Sequence, residues 1–253
     1  MSSKRLLSPL TGIVLVIACH AAHGQAVAST ADGIPRKAAK VRNPNFIDPT
    51  LFDLTALLAP PPAQDSTQTR AEVAELHRIE SSRTPAEVAA AQFDDTHEDI
   101  FIYASVLGPQ FRPETLPRTT EFSAHVRNDA GVVDPPLKSL YARPRPYNFD
   151  TTLHPVCATN QEGSYPSGHS LNGFLFAYVL AQMVPEKREA IMLRAEQYVH
   201  NRMVCEAHYA SDIEASRQIA TFLVGAMAAN PRFQKEFAAA REETRRQLGL
   251  ALR

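Results

Sequence analysis

Residues 166–184, PSGHSLNGFLFAYVLAQMV, decide the fold. From 170 to 184 the stretch is apolar almost throughout, which reads as a buried helix with Ser167, Gly168 and His169 at its N-terminus. A buried helix needs neighbours, and the sequence on both sides supplies them. Upstream, Val73, Leu76 and Ile79 recur at three-residue spacing in a helix expected from Thr69. Thr84-Pro85-Ala86-Glu87 carries a helix start, with Thr as N-cap, Pro in the first helical position and Glu in the first turn. Ile100, Tyr103, Ala104 and Leu107 form another apolar stripe. Phe122, His125 and Val126 form a further one, expected to stop at Asn128-Asp129-Ala130-Gly131. Downstream, 186–203, 212–229 and 231–248 read as helices, the last with Asn230 as cap and Pro231 at its start. Residues 134–157 hold five prolines and are expected to be irregular, with Arg145 on a loop. Strand signals are weak, glycine is sparse and no repeat is present. The expected fold is therefore all-α, a single-domain helical bundle.

The N-terminus reads differently. Lys4 and Arg5 precede the short apolar run LTGIVLVIAC at 10–19, and Ala22-His23-Gly24 offers small residues for cleavage, the pattern of an export signal over residues 1–24. The run is too short to span a bilayer, which takes about 18 residues or more. Val16-Ile17-Ala18-Cys19 also resembles a bacterial lipobox. The expected outcome is a cleaved chain released into the periplasm, the alternative being a lipoprotein anchored at Cys19. Residues 25–68 are rich in Ala, Pro, Ser, Thr and Asp and read as an extended arm or linker, with a short docked piece near 52–58. The helical domain is expected over 69–253 and is large enough for a real core. No stretch after the leader is apolar for long enough to form a transmembrane helix. Lys and Arg total 26 against 27 Asp and Glu, a balance that argues against a nucleic-acid partner held by bulk charge.

Three short motifs fall in the middle of the chain: Lys138-x6-Arg145-Pro146, Pro166-Ser167-Gly168-His169 and Arg202-x5-His208-x3-Asp212. Each alone has an ordinary explanation: solvated loop cations, a serine cap before a turn glycine, a surface His–Asp pair. Together they supply cationic donors for a tetrahedral oxyanion, with a nucleophile, an acid and an orienting carboxylate. A helix start at Ser167-Gly168-His169 presents free backbone N–H groups and the positive end of the dipole to phosphate. Gly168 lets the backbone approach the anion, and Ser167 adds a hydroxyl donor. His208 and Asp212 are four apart, so on a helix they share a face. The aspartate would fix the imidazole tautomer and leave the other ring nitrogen free to attack phosphorus. Arg202 offers a planar two-pronged clamp, and His169 an acid for the leaving oxygen. Arg143 lies two residues before Arg145 and local reading does not separate them; the motif spacing selects Arg145. Cys157 and Cys205 flank motif residues. In an oxidising compartment this even pair points to a disulfide, the alternative being two buried free thiols.

KSLYARPRP, GSYPSGHS and NRMVCEAHYASD resemble K-x6-R-P, P-S-G-H and S-R-x5-H-x3-D. That is the signature of the bacterial class A non-specific acid phosphatases, within the superfamily of type 2 phosphatidic acid phosphatases and vanadium haloperoxidases. ALLAPPPA, TPAEVAAAQ, IFIYASVLGPQF and ANPRFQKEFAAA are similar to the same family, so the resemblance runs from about residue 50 onward. It implies the helical bundle of that superfamily and hydrolysis of small phosphate monoesters (nucleotides, sugar and aryl phosphates) through a covalent phosphohistidine. It further implies phosphate transfer to alcohols as a side activity, and a homodimer. On this resemblance His208 is the nucleophile, Asp212 orients it, and His169 protonates the leaving alcohol. Lys138, Arg145, Ser167, Gly168 and Arg202 match the phosphate-binding shell. Protein cations would take the part often given to Mg²⁺, so no metal or other cofactor is expected. Asn201 departs from the usual serine, which implies a tuned site. The rival readings are a vanadium-dependent haloperoxidase and a lipid-phosphate phosphatase anchored through Cys19; compact length and the similarity outside the motifs favour the acid phosphatase.

Overall fold

The structure, a computed structural model, describes residues 42–252. The export signal, Cys19 and the start of the arm lie outside the described residues. Every regular element among the described residues is helical, which bears out the all-α reading. In chain order the helices are α1 (Thr67–Ser82), α2 (Pro85–Thr96), α3 (Ala104–Leu107), α4 (Pro117–Tyr141), α5 (Pro146–Phe149), α6 (Gly168–Met183), α7 (Arg188–Val204), α8 (Ala210–Ala228) and α9 (Pro231–Gln247). No helix among the described residues is long and apolar enough to cross a membrane.

α6 is the central helix. It packs against α8, α7 and α4, while α9 covers α4 and α2 lies on α7. Leu171, Phe174, Leu175, Phe176 and Leu180 point from it in several directions, and all are fully buried. A helix with no polar stripe gains by burial on every side. Gly173 sets its distance from α7, since a Cβ there would lie 2.7 Å from the Tyr198 ring. The Tyr103 hydroxyl donates to the Gly173 carbonyl at 2.7 Å, holding the segment before α3 to the same point.

The α2 start is a capping box. The Glu87 N–H donates to Thr84 Oγ1, and the Thr84 N–H donates to the Glu87 carboxylate at 2.7 Å. The expected stripe at Ile100 is shorter than a full helix: a 3₁₀ turn, Ile100–Tyr103, runs into α3. The larger departure is α4. It continues through Asn128-Asp129-Ala130-Gly131 and through Pro135 and Pro136, so Lys138 is helical and the irregular stretch begins only at Ala142. Local propensity is overridden by burial, because Phe122, Val126, Ala130, Val133 and Leu137 form one packed face across both expected breaks.

Asp129, fully buried, explains why a weak helix former sits in that face. Its carboxylate accepts the N–H groups of Asn45 at 2.6 Å, Phe46 at 2.7 Å and Ile47 at 3.0 Å. This pins the arm to α4 well before the expected docked piece, and Phe46, Ile47, Leu54 and Leu58 all enter the main core. Asp129→Ala should orphan three backbone donors and lower unfolding stability by about 3 kcal/mol. Urea denaturation measures the loss, and limited proteolysis should cut the arm earlier than in the parent chain.

Candidate active site

The site lies at the N-terminal end of α6, around a cavity of about 300 Å³ lined by Lys138, Arg145, Gly168, His169 and His208 among others. His208 comes from the turn between α7 and α8. That turn reverses through Glu206, which takes a left-handed φ of +57°. The buried Glu206 carboxylate accepts from Arg83 Nη1 at 3.0 Å, and the same guanidinium donates to the Val204 carbonyl at 2.9 Å and the His154 carbonyl at 2.7 Å. Cys157 and Cys205 form the expected disulfide, which fastens the same turn to the loop before α6.

His208 is 1% exposed, and its two nitrogens have different partners. Nδ1 lies 2.8 Å from the Ser164 carbonyl, and Nε2 lies 3.2 Å from Arg145 Nη1. A carbonyl only accepts and a guanidinium only donates. The ring is therefore the neutral Nδ1–H tautomer with the Nε2 lone pair turned toward Arg145. Burial first, then the positive charges of Arg145, Lys138 and Arg202, hold the His208 pKa well below the ordinary histidine value.

The expected His208–Asp212 pair differs in detail. His208 precedes α8, so the two do not share a helix face. Asp212 Oδ2 lies 3.4 Å from Nδ1, but the closer partner of Nδ1 is Ser164. Asp212 caps α8 by accepting the Tyr209 N–H at 2.9 Å, and it accepts from Arg143 Nη1 at 2.6 Å. Arg143 is thus a site residue that motif spacing passed over. It bridges Asp212 to Glu72 of α1, at 2.9 Å, and its guanidinium lies 3.8 Å from the centre of the Tyr209 ring. The paired arginines at 143 and 145 were the available signal, and the structure uses both.

The remaining candidates divide. Lys138 Nζ donates to the Pro166 carbonyl at 2.5 Å and the Gly163 carbonyl at 3.1 Å, beside the cavity. Arg145 Nη1 also donates to the Ala207 carbonyl at 3.1 Å. Gly168 opens α6, where the first-turn N–H groups have no intrahelical acceptor. Ser167 does not line the cavity among the described residues. It is fully buried as the α6 N-cap, its oxygen accepting from Ser170 N and Oγ at 3.3 and 2.8 Å. Arg202 is turned to Asp95 Oδ1 at 2.6 Å, with its Nε buried and without a hydrogen-bond partner. Asn201 donates to Asp94 at 2.7 Å and helps hold α7 on α2.

His169 Nε2 lies 2.8 Å from Glu98 Oε1 and 3.1 Å from the Asp95 carbonyl. Glu98 also accepts from Arg127 at 2.8 Å and Asn172 at 3.4 Å. Burial pushes its carboxyl up, but His169 and Arg127 outweigh burial and bring it down to about 2. Nothing in the sequence joins Glu98 to a histidine 71 positions away. Asp95, Cys157 and Cys205 have ligand atoms close enough for a metal, but the disulfide occupies both sulfurs.

A match to the PAP2 superfamily covers residues 124–235. The non-specific acid phosphatase of Salmonella typhimurium is 32% identical over 163 residues, 61% of this chain and 64% of the relative. That of Providencia stuartii is 30% identical over 208 residues, 76% of this chain and 81% of the relative. The acid phosphatase of Zymomonas mobilis is 32% identical over 112 residues, 42% of each chain. The chain thus spans slightly less than two thirds of the Salmonella relative and about four fifths of the Providencia one.

The neutral imidazole has a stability signature. The folded His208 pKa lies below the unfolded one, so below about pH 6.5 the unfolded chain binds the extra proton and stability falls with pH, by about 1.4 kcal/mol per unit at most. Between about pH 7 and pH 5.5, the parent chain should lose more unfolding free energy than His208→Asn. Imidazole ¹⁵N resonances of His208 should report bare Nε2 throughout that window.

Proposed function

Because the chain belongs to the PAP2 superfamily, among relatives that include the non-specific acid phosphatases, we propose that it hydrolyses phosphate monoesters through a phosphohistidine at His208. The observation that carries this reading is the bare Nε2 of His208 beside Arg145 at the cavity.

In the first displacement the Nε2 lone pair attacks phosphorus, an N–P bond forms, and the ester P–O bond breaks on the opposite side. His169 gives its proton to the departing oxygen. Positive charge that develops on the His208 ring is spread through Nδ1–H toward the Ser164 carbonyl and the Asp212 carboxylate. Water then attacks phosphorus, His169 takes a proton from it, and the N–P bond breaks. An alcohol in place of water gives transfer instead of hydrolysis. Lys138, Arg145 and the first-turn N–H groups of α6 surround the equatorial oxygens, and Arg202 joins them on exchanging Asp95 for phosphate. Ser167 acts by fixing the start of α6.

Splitting the reaction answers its difficulty, since enzymes accelerate the slowest phosphate-ester hydrolyses by up to about 10²¹-fold. The fixed cations act without a metal in this reading, so activity should survive chelators. Glu98 serves as a positioning residue, holding the His169 ring by its Nε2 at 2.8 Å. Export to the periplasm is part of the proposal. The leader pattern supports it, and a disulfide suits an oxidising compartment.

His208→Ala should slow p-nitrophenol release from its phosphate ester by about 10⁴-fold or more. An alkaline quench during turnover should trap phosphohistidine in the parent chain. Equal rates in the two proteins would end the reading. Glu98→Gln should cost alkyl phosphates about 10²-fold in kcat and p-nitrophenyl phosphate much less, because only the poor leaving group needs the acid.

A further inference from the structure

Asp134 lines the same cavity as the cations Lys138 and Arg145, with the carboxylates Glu98 and Glu162 also on its wall. It stands one turn before Lys138 on α4, with Oδ1 3.7 Å from Lys138 Nζ, too far for a hydrogen bond. Its Oδ2 lies against the first residue of α6, so close that a Cβ at Gly168 would be 3.0 Å away. Oδ1 is buried and has no hydrogen-bond partner. Lys138 spends donors on the Gly163 and Pro166 carbonyls instead. A buried acceptor without a donor is costly, and this one stands where the Lys138 side chain and the α6 N-terminus converge.

The groups facing it come from every side of the cavity. Lys138 and Arg127 share its helix, Arg145 and Glu162 come from the loops after α4 and before α6, Glu98 from the segment after α2, Arg42 from the arm, and His169 lies on α6. His208 comes from the turn before α8. Burial raises the Asp134 carboxyl, with Lys138 opposing and Glu162 adding to the rise.

An ionised carboxylate and an anion's oxygen are both acceptors, and they meet only with a proton between them. We propose that Asp134 is a specificity residue that admits an oxyanion only when one proton is shared between the anion and its carboxyl. The site then takes phosphate, which carries its own proton through neutral pH, and discriminates against sulfate, which carries none. A phosphate monoester loses its last proton near pH 6. Above that pH the ester brings no proton of its own, and substrate binding weakens. The inference rests on the cavity being the phosphate site proposed above.

Calorimetric titration of the purified chain with inorganic phosphate and with sulfate at about pH 7.5 tests it without any turnover. The parent chain should bind phosphate at least about tenfold more tightly. Asp134→Asn, whose amide donates to either anion, should bring the two affinities together by strengthening sulfate, and should flatten the rise of KM above about pH 6. Asp134→Ser removes the same charge and serves if the amide variant fails to fold. An unchanged phosphate-to-sulfate ratio in the folded variant overturns the inference, as does equal binding of both anions by the parent chain. If both anions discriminate as stated but no ester is hydrolysed, the inference stands and the proposed activity falls.

Discussion

A neutral imidazole surrounded by cations is the constraint on which the rest of the site depends. Left to itself, a ring beside Arg145, Lys138 and Arg202 has every reason to turn its N–H groups elsewhere. The Ser164 carbonyl settles the matter by taking Nδ1–H at 2.8 Å, which leaves Nε2 to Arg145. The Ser164 backbone is itself fixed from the opposite side, since its N–H donates to the Arg143 carbonyl at 2.9 Å. Arg143 in turn reaches Asp212 and Glu72, so α1, the loop after α4 and the start of α8 all bear on one ring. Truncating Arg143 would leave the buried carboxylate of Asp212 and that of Glu72 without their cation, and that is why such networks resist piecemeal change.

The cations are also kept from repelling one another. Arg202 is matched by Asp95, Arg143 by Asp212 and Glu72, and Arg127 by Glu98. This agrees with a chain whose total charge is nearly zero. Positive potential is concentrated locally while each guanidinium has an anionic partner or carbonyl within reach, so the apparent excess of cations in the motifs does not translate into an unstable fold.

Much of this was legible from the residues. α6 was readable because its burial leaves an apolar signal on every face, and α2 because Thr84 and Glu87 act on each other within one turn. His208, Arg145, Lys138, Gly168 and His169, which come from three motifs separated along the chain, line one cavity. What was not legible depends on partners distant in sequence. Pro135 and Pro136 read as breakers, yet the buried face of α4 carries the helix past them. Ser167 and Asp212 carry motif identities and at the same time cap helices, and only the fold shows where their oxygens are spent. Glu98 and Glu72 have no motif at all. Their roles exist only because α1 and the segment after α2 approach the site in space.

The Cys157–Cys205 bridge closes a loop 48 residues apart in sequence, a restriction on the unfolded chain worth about 4 kcal/mol in the loop-entropy picture. The closed ring contains all of α6 and α7, with His169 and Arg202, whereas Lys138 precedes it and His208 follows it. Within it, 158–162 is exposed, the kind of surface loop that proteases nick. A cut there would open the ring without releasing a fragment, because each new end stays joined through sulfur to the rest. The protein has a place where its backbone can be severed and its two parts remain a single covalent molecule.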